Sequence, residues 1–475
     1  MRCSALALVL LAACAPAPAP VASPAPPGPP QPPASAPAPP AASAPAAAPA
    51  PPPARLAFVE DDIPGATKQA KAAHKALFVD AWAVWCHTCS SMKHTVLGSP
   101  ALAPLSKRVV FASVDTDRPE NAAFLDKYAV TVWPTFFMID PASGTLLGYW
   151  PGAASLRELS GFVDGSLDAL DRLESKNLAP DSPLARLLAA KDAQASHDYA
   201  VAAKGYAALI AAAPADWPRR SEALLGWIQS LFQSDGAAKC ARTGVKHLSE
   251  VSGAAMPADY CYYTLACIAH VHGAEQKKLR QPVVARLREL TSHPPAGASA
   301  DDRADALGIL TEALLASGDR KGAGEASHKR LAILEAAAAA SPTPEAASTY
   351  DDGRAGAYVA LGRPDEAIKM LEKREQQLPD SFEPPARLAS VLADLKRWKE
   401  ALAAIDRALA HAYGPRALRY LALKARIQHA LGNRKGRLAA LETEVKGYKA
   451  LARGQSNARG LRDAERRLRE ARAGK

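Results

Sequence analysis

The spacing of hydrophobic positions divides the chain into two parts. Between about residues 56 and 170, short apolar runs of strand length alternate with segments of helical spacing. This pattern predicts strands at 77–82, 109–114, 135–139 and 145–149, and helices at 66–74, 86–96, 121–128 and 155–170. Residues 140–144 have the composition of a hairpin turn. A βαβ unit followed by a hairpin and a helix indicates an α/β domain, which we place at 55–172.

After Pro180 the apolar positions recur at helical spacing almost without strand signals. The segment 361–368 is echoed by 395–402, which begins 34 residues later. The copies keep a small residue, a large apolar residue and often a later proline: Ala367, Leu371 and Pro379; Ala202, Tyr206 and Pro214; Ala401, Ile405 and Ala408 with Pro415. Period and positions resemble a degenerate tetratricopeptide array over 180–475. A generic alanine-rich helical bundle is the alternative. An array would offer a concave surface to a protein partner.

The first residues have the features of an export signal. Met1 and Arg2 precede an apolar run at 5–12, which is too short to span a bilayer. The run ends in Leu-Ala-Ala-Cys at Cys14, which resembles the bacterial lipoprotein signal. That resemblance implies a signal peptide at 1–13, lipidation of Cys14 and anchoring to a membrane. A secretory signal cut near the same alanines is the alternative. Since Ala15 is not an acid, we expect the periplasmic face of the outer membrane in a Gram-negative cell envelope.

The segment 14–54 is almost wholly alanine and proline. Proline lacks the backbone donor, and such a composition cannot bury a core. We therefore expect a disordered, semi-stiff linker that lifts the folded part away from its anchor.

The formal net charge is +10, and arginines crowd the last residues. A basic patch would suit nucleic acid or anionic lipid. Asp463, Glu465 and Glu470 interleave with those arginines, which favours a solvated helix. We expect no nucleic-acid partner, because an exported protein rarely meets nucleic acid.

The chemistry concentrates in Trp85-Cys86-His87-Thr88-Cys89, directly after a predicted strand and at the start of a helix. A zinc site needs two more ligands at similar spacing, and no second such pair exists, so we predict no metal and no cofactor. In an exported βαβ context the motif indicates a redox pair. The helix N-terminus favours a thiolate at Cys86, which attacks a disulfide, and Cys89 then resolves the mixed disulfide.

The run from Val79 to Cys86 resembles the active-site run of thioredoxins, and the likeness covers about 56–170. By that resemblance, Asp80 is a buried acid that accepts the proton of Cys89. The stretch Cys89-Ser90-Ser91-Met92-Lys93 is more similar to the C-terminal domain of the DsbD type of transmembrane thiol reductase. His87 and Thr88 replace the central residues of thioredoxin, so the redox potential does not carry over.

The segment Trp133-Pro134-Thr135 resembles the cis-proline loop of the same family. In the family, this loop brings main chain against the dithiol to pair with substrate. The resemblance implies that Trp133, Pro134 and Thr135 meet substrate together with Trp85 and His87. The departure is Trp133, since a large indole restricts which substrates dock. His87 either stabilises the Cys86 thiolate when protonated or faces solvent and contacts substrate.

Three further cysteines lie in the helical part: Cys240, Cys261 and Cys267. We expect free core thiols in an alanine-rich bundle. The alternatives are one structural disulfide with one buried thiol, and a zinc site with His270.

Together these features predict an exported, membrane-anchored thiol–disulfide oxidoreductase, more a reductase than an oxidase or isomerase. Its partners would be protein thiols and disulfides, a separate membrane electron donor or acceptor, and a protein bound to the repeat domain. In the rival interpretation the chain is a scaffold, and the α/β domain is only a docking module. A role in cytochrome maturation is also open.

Overall fold

The computed structural model describes residues 55–234 and 236–474. The predicted signal peptide at 1–13, the lipidated Cys14 and the linker at 14–54 lie outside these residues. The described residues belong to one compact unit. Among them, every helix is too short or too polar to cross a bilayer.

The N-terminal part is built on a five-stranded sheet. Its strands are β1 Phe58–Glu60, β2 Ala76–Trp82, β3 Val109–Asp115, β4 Thr135–Ile139 and β5 Leu146–Pro151. They lie in the order β1-β3-β2-β4-β5. Strands β1 and β2 are parallel to β3, whereas β4 is antiparallel to both β2 and β5. The central strand β2 is buried from Ala76 to Ala81, so its carboxyl end delivers the Cys-x-x-Cys turn from a fixed position.

Helices cover both faces of this sheet: α1 Ile63–Ala73, α2 His87–Met92, α3 Ala122–Lys127 and α4 Leu156–Glu174. The predicted single helix at 86–96 is instead α2 followed by a π-helical turn at Lys93–Leu97. Sequence reasoning missed the short edge strand β1 and the 3₁₀ helix Pro100–Lys107. The capping box at α4 is present, since Ser155 and Glu158 satisfy each other's backbone N–H groups.

The rest of the described chain is helical. The helices are α5 Pro183–Ala195, α6 Tyr199–Ala212, α7 Arg220–Gln233, α8 Ala237–Lys246, α9 Met256–Ile268, α10 Gly273–Ser292, α11 Ala300–Leu315, α12 Arg320–Ala340, α13 Pro344–Ser348, α14 Asp351–Ala360, α15 Pro364–Gln377, α16 Glu383–Asp394, α17 Trp398–His411, α18 Gly414–Ala430, α19 Arg434–Ala450 and α20 Ala458–Arg472. Consecutive helices pack against each other. Buried residues of the helices up to α12 form one core with one face of the sheet, and the later helices have cores of their own.

The repeat predicted from the sequence is visible in the turns between helices. Gly362, Lys396 and Gly432 occupy equivalent turn positions, and all three have left-handed backbone, with φ of 72°, 61° and 72°. Glycine adopts this conformation without strain, whereas Lys396 does so at some cost. The small positions Ala367 and Ala401 are fully buried, because the paired helices approach closely there.

The helical cysteines differ from the expectation of free thiols. Cys240 on α8 and Cys267 on α9 form a disulfide, and Cys261 is the remaining buried thiol. The prediction was wrong because adjacent antiparallel helices bring the two Cα atoms to 5.8 Å, which is within bridging distance. A zinc site with His270 is also wrong, since the sulfurs are paired with each other and His270 is exposed.

Candidate redox site

The dithiol motif lies where the central strand turns into a helix. Cys86 is the N-cap of α2, and its Sγ accepts a hydrogen bond of 2.9 Å from the backbone N–H of Cys89. The two cysteines form a disulfide with their Cα atoms 5.2 Å apart. Cys86 is 6% exposed and Cys89 is 4% exposed. When the pair is reduced, the same N–H group is placed to stabilise a thiolate at Cys86, which is what the predicted role of Cys86 as the attacking sulfur requires.

Asp80 lies on β2 below the motif and is 8% exposed. Its Oδ1 atom has no hydrogen-bond partner among the described residues. Burial raises the pKa of this carboxyl to about 7, against an opposing effect of the Lys93 charge. A carboxyl with that pKa can take up and return a proton near neutral pH. Asp80, Cys86 and Cys89 line the same cavity, which places the acid beside the dithiol.

The cis-proline loop reaches the dithiol from another side. The Trp133–Pro134 peptide bond is cis, as the resemblance implied. The Trp133 ring lies 5.0 Å from the Trp85 ring, centroid to centroid, and both rings pack beside the two cysteines. Trp133 Nε1 donates to Thr116 Oγ1 at 2.9 Å. Thr135 is fully buried and its side chain donates to the carbonyl of Val132, so its predicted contact with substrate finds no exposed group in this structure.

His87 points into the helical part of the chain. Its Nδ1 lies 3.1 Å from an Asp301 carboxylate oxygen, and its Nε2 lies 3.9 Å from Asp305. Burial by itself would lower the pKa of His87, but the Asp301 and Asp305 carboxylates raise it to about 10. The ring is therefore an imidazolium clamped between two acids. A protonated ring is what the first alternative for His87 requires, and its effect on a thiolate at Cys86 stays a prediction.

Among the described residues, His87, Asp301 and Asp305 lie close enough together to offer one ligand atom each to a metal ion. The two carboxylates face opposite nitrogens of the same ring. A metal takes only one of those nitrogens, so the geometry fits an imidazolium that is hydrogen-bonded to Asp301 and ion-paired with Asp305 better than a coordination site.

Other repeat-region side chains hold the surroundings of the dithiol. The Arg416 guanidinium lies 4.7 Å from the centre of the Trp85 ring, while Trp85 Nε1 donates to Asp117 at 2.7 Å. Ser90 and Thr349 share a hydrogen bond of 2.7 Å. Tyr413 donates its hydroxyl hydrogen to Asp115.

Gln455 donates to the carbonyls of Thr116 and Arg118, each at 2.9 Å. Sequence reasoning missed all of these partners, because they lie hundreds of residues from the motif and follow no local pattern.

Comparisons with known proteins agree with this architecture. The family model of a thioredoxin-like domain matches residues 63–164, and that of the tetratricopeptide repeat matches residues 358–427. The fold and the site together define a thioredoxin-like domain with a Cys-x-x-Cys pair, followed by a mostly helical region with tetratricopeptide repeats. Such a domain with such a pair supports thiol–disulfide oxidoreductase activity in general.

One curated relative is protein disulfide-isomerase 1 of Dictyostelium discoideum, which is 33% identical over 91 residues. That stretch is 19% of this chain and 24% of the relative, so the chain matches about a quarter of the relative's length.

The solved structures that this chain is similar to include a tetratricopeptide repeat protein from Parabacteroides merdae. It is 12% identical, covers 60% of this chain and 97% of its own, and has a TM-score of 0.40. The PilF protein of Pseudomonas aeruginosa is 14% identical, covers 54% and 97% of the two chains, and has a TM-score of 0.29.

Proposed function

We propose that this protein is an exported, lipid-anchored thiol–disulfide oxidoreductase that reduces disulfides in other proteins. The observation that carries the proposal is the placement of Cys86 and Cys89 at a helix start, with the buried Asp80 beside them. The likeness to a protein disulfide-isomerase supports exchange on protein disulfides rather than on a metal or a nucleotide.

In the proposed reaction the Cys86 thiolate attacks one sulfur of a substrate disulfide. A bond forms between Cys86 and that sulfur, and the other substrate sulfur leaves as a thiolate. Cys89 then gives its proton to Asp80 and attacks Cys86, which closes the Cys86–Cys89 disulfide and releases the second substrate thiolate. Both released thiolates take up protons. Two electrons have passed from the dithiol to the substrate, and a separate membrane dithiol donor restores the reduced pair.

The direction is tested by the reduction potential of the Cys86–Cys89 pair against glutathione. A reductase requires a value near the thioredoxin end of the known range, about −270 mV, whereas a value near −120 mV would make the protein an oxidant. In parallel, Cys89→Ser should trap a mixed disulfide between Cys86 and a substrate. If no adduct forms and no exchange is measurable, the enzyme proposal fails and the scaffold interpretation replaces it.

Export and anchoring rest on the sequence at Cys14. We expect metabolic labelling with a fatty acid to mark the wild-type chain in a Gram-negative host, and the chain to fractionate with the outer membrane. Cys14→Ser should abolish the label and release the protein into the periplasm. An unlabelled wild-type chain would contradict the anchor without touching the redox chemistry.

A further inference from the structure

A cavity of about 960 Å³ opens beside the dithiol, and both Cys86 and Cys89 line it. Its near wall comes from the sheet, with Phe58 on β1 and with Asp80 and Trp82 on β2. Among the residues that the structure describes, those of the cis-proline loop are not part of this lining. The cavity therefore reaches the sulfurs from the Asp80 side, away from Trp133.

The far wall comes from the repeat region. Thr349 after α13, Pro379 and Phe382 before α16, Glu383 on α16 and Tyr413 before α18 line it. Polar and charged side chains such as Asp380, Arg387 and His411 stand beside apolar ones in this wall, and the cavity volume lies at the upper end of the range for ligand cavities. The space exceeds what one disulfide requires, which leaves room for the residues on either side of a cysteine.

The repeat region contacts the dithiol motif at several points, on the cavity lining and outside it. His87 is held by Asp301, Ser90 by Thr349, and Trp85 by the Arg416 guanidinium over its ring. A folded protein cannot lay a flat surface on the dithiol without displacing these contacts. A chain in extended form is narrow enough to enter between the walls.

Two buried carboxylates of the cavity have an oxygen without a hydrogen bond among the described residues. These are Asp80 Oδ1 on the near wall and Glu383 Oε2 on the far wall. The latter has only an ion-pair contact, 3.2 Å from Arg387 Nε. Both residues are more than nine-tenths buried. Each side chain would have to turn toward the cavity for its free oxygen to accept a hydrogen bond from a backbone N–H group of an extended chain.

We propose that this cavity is the substrate site, and that it takes an extended polypeptide segment bearing a disulfide-bonded cysteine. The inference rests on the proposed function, because the occupant must bring a sulfur to Cys86. The far wall makes the repeat region the element that selects substrates, and folded protein disulfides are excluded by it. The exchange itself is the two-electron transfer given above.

The first test is a photo-crosslink in the full-length Cys89→Ser protein. The probe is a short unstructured peptide with one cysteine, activated as an aryl disulfide, and with a photoreactive residue next to that cysteine. After the mixed disulfide with Cys86 has formed, crosslinks should map to the segment 377–384 and to Tyr413. Crosslinks to residues 131–133 of the cis-proline loop would overturn the cavity assignment and leave the oxidoreductase intact. Failure to form the mixed disulfide would overturn both proposals.

The second test fills the cavity from its rim, using two neighbouring exposed glutamines. Gln377 lines the cavity and Gln376 does not. Gln377→Trp should lower kcat/KM for the peptide disulfide by about tenfold, while Gln376→Trp leaves it unchanged. Neither change should alter the reaction with 2-hydroxyethyl disulfide, which is small enough to pass. If Gln377→Trp lowers kcat/KM equally for the peptide disulfide and for 2-hydroxyethyl disulfide, the site takes small disulfides and the proposal is wrong. If Gln377→Trp and Gln376→Trp have equal kcat/KM for the peptide, the cavity is not used.

Discussion

The two disulfides of this chain have the same chemistry but very different surroundings. Cys86–Cys89 closes a short loop at a helix start and lines a large cavity beside a buried acid. Cys240–Cys267 links two helices over 27 residues of sequence and is almost completely buried. The free thiol near it, Cys261, has its pKa raised by burial to about 12.

The difference teaches that placement decides what a cysteine does. A thiolate needs a donor, a route for its proton and space for a second sulfur. The first pair has all three, in the Cys89 N–H group, Asp80 and the cavity. The second pair is enclosed by the core of the helical region, so we assign it a structural role.

The largest expected effect comes from removing one sulfur of the first pair. Cys86→Ser should lower the rate of disulfide reduction by at least about a thousandfold, since no other described cysteine is placed to attack. The measurement is turnover of a peptide disulfide with a dithiol as reductant. The double variant Cys240→Ala with Cys267→Ala is the control and should keep its activity. Substantial activity in Cys86→Ser would move the redox function elsewhere.

When stability is measured instead of activity, removing the Cys240–Cys267 pair should have the larger effect of the two. Opening a 27-residue loop should lower the free energy of unfolding by about 2–4 kcal/mol, because the denatured chain regains conformational freedom. Urea unfolding under oxidising conditions checks this. Cys86→Ser with Cys89→Ser is the matched variant, and its short loop should give the smaller loss. Equal losses for the two double variants would contradict the structural role.

A smaller effect on activity is expected when Asp80, the buried acid beside Cys86 and Cys89, is replaced. Asp80→Asn should slow release of product from the Cys86 mixed disulfide by about 10–100-fold. In the wild type this step should accelerate as pH rises through about 7, because Asp80 then becomes the carboxylate that accepts the proton. The variant should lose that inflection, and the exposed Asp164→Asn should keep it. An unchanged pH profile in Asp80→Asn would exclude Asp80 from proton transfer.

The same substitution has a stability effect of defined sign. Burial raises the pKa of Asp80 in the folded state from 3.8 to about 7. The stability that its protonated form contributes is present below about pH 4 and is lost as pH rises through about 7. Asp80→Asn should therefore be more stable than wild type by about 2–4 kcal/mol at mildly alkaline pH, and much less so in acid. Urea unfolding at the two pH values is the measurement.

The smallest expected effect concerns the contact of the helical region with His87, which lies next to Cys86. The ring of His87 should stay protonated through the neutral range, because the Asp301 and Asp305 carboxylates raise its pKa to about 10. In Asp301→Asn the ring should titrate at lower pH, as seen by NMR. His94 is an internal control, since burial and Lys93 lower its pKa. Titration of wild-type His87 near 6.5 would mean that the clamp does not form in solution.

The sequence was informative where the pattern is local. Strand β2, the motif at Cys86 and the capping box at Ser155 could be predicted, because each depends on neighbours within a few residues. The repeat could be predicted from its 34-residue period, because that period is written in the sequence itself. The pairing of Cys240 with Cys267 could not be predicted, since it depends on how α8 and α9 pack.

The contacts between the helical region and the motif could not be predicted either. Asp301, Thr349 and Arg416 contact the motif only because the helical region folds back onto the sheet domain. Each is an ordinary polar residue on a helix or turn in the sequence. A single chain without an alignment gives no signal that would have singled them out.

The most direct measurement is differential alkylation of the folded protein across a range of glutathione potentials, read out by mass spectrometry for each cysteine. We predict that Cys86 and Cys89 pass together from disulfide to dithiol within that range, while Cys240 and Cys267 stay paired throughout. If Cys240–Cys267 opens first, or if Cys86–Cys89 does not exchange with glutathione at all, the assignment of the first pair as the redox centre is wrong.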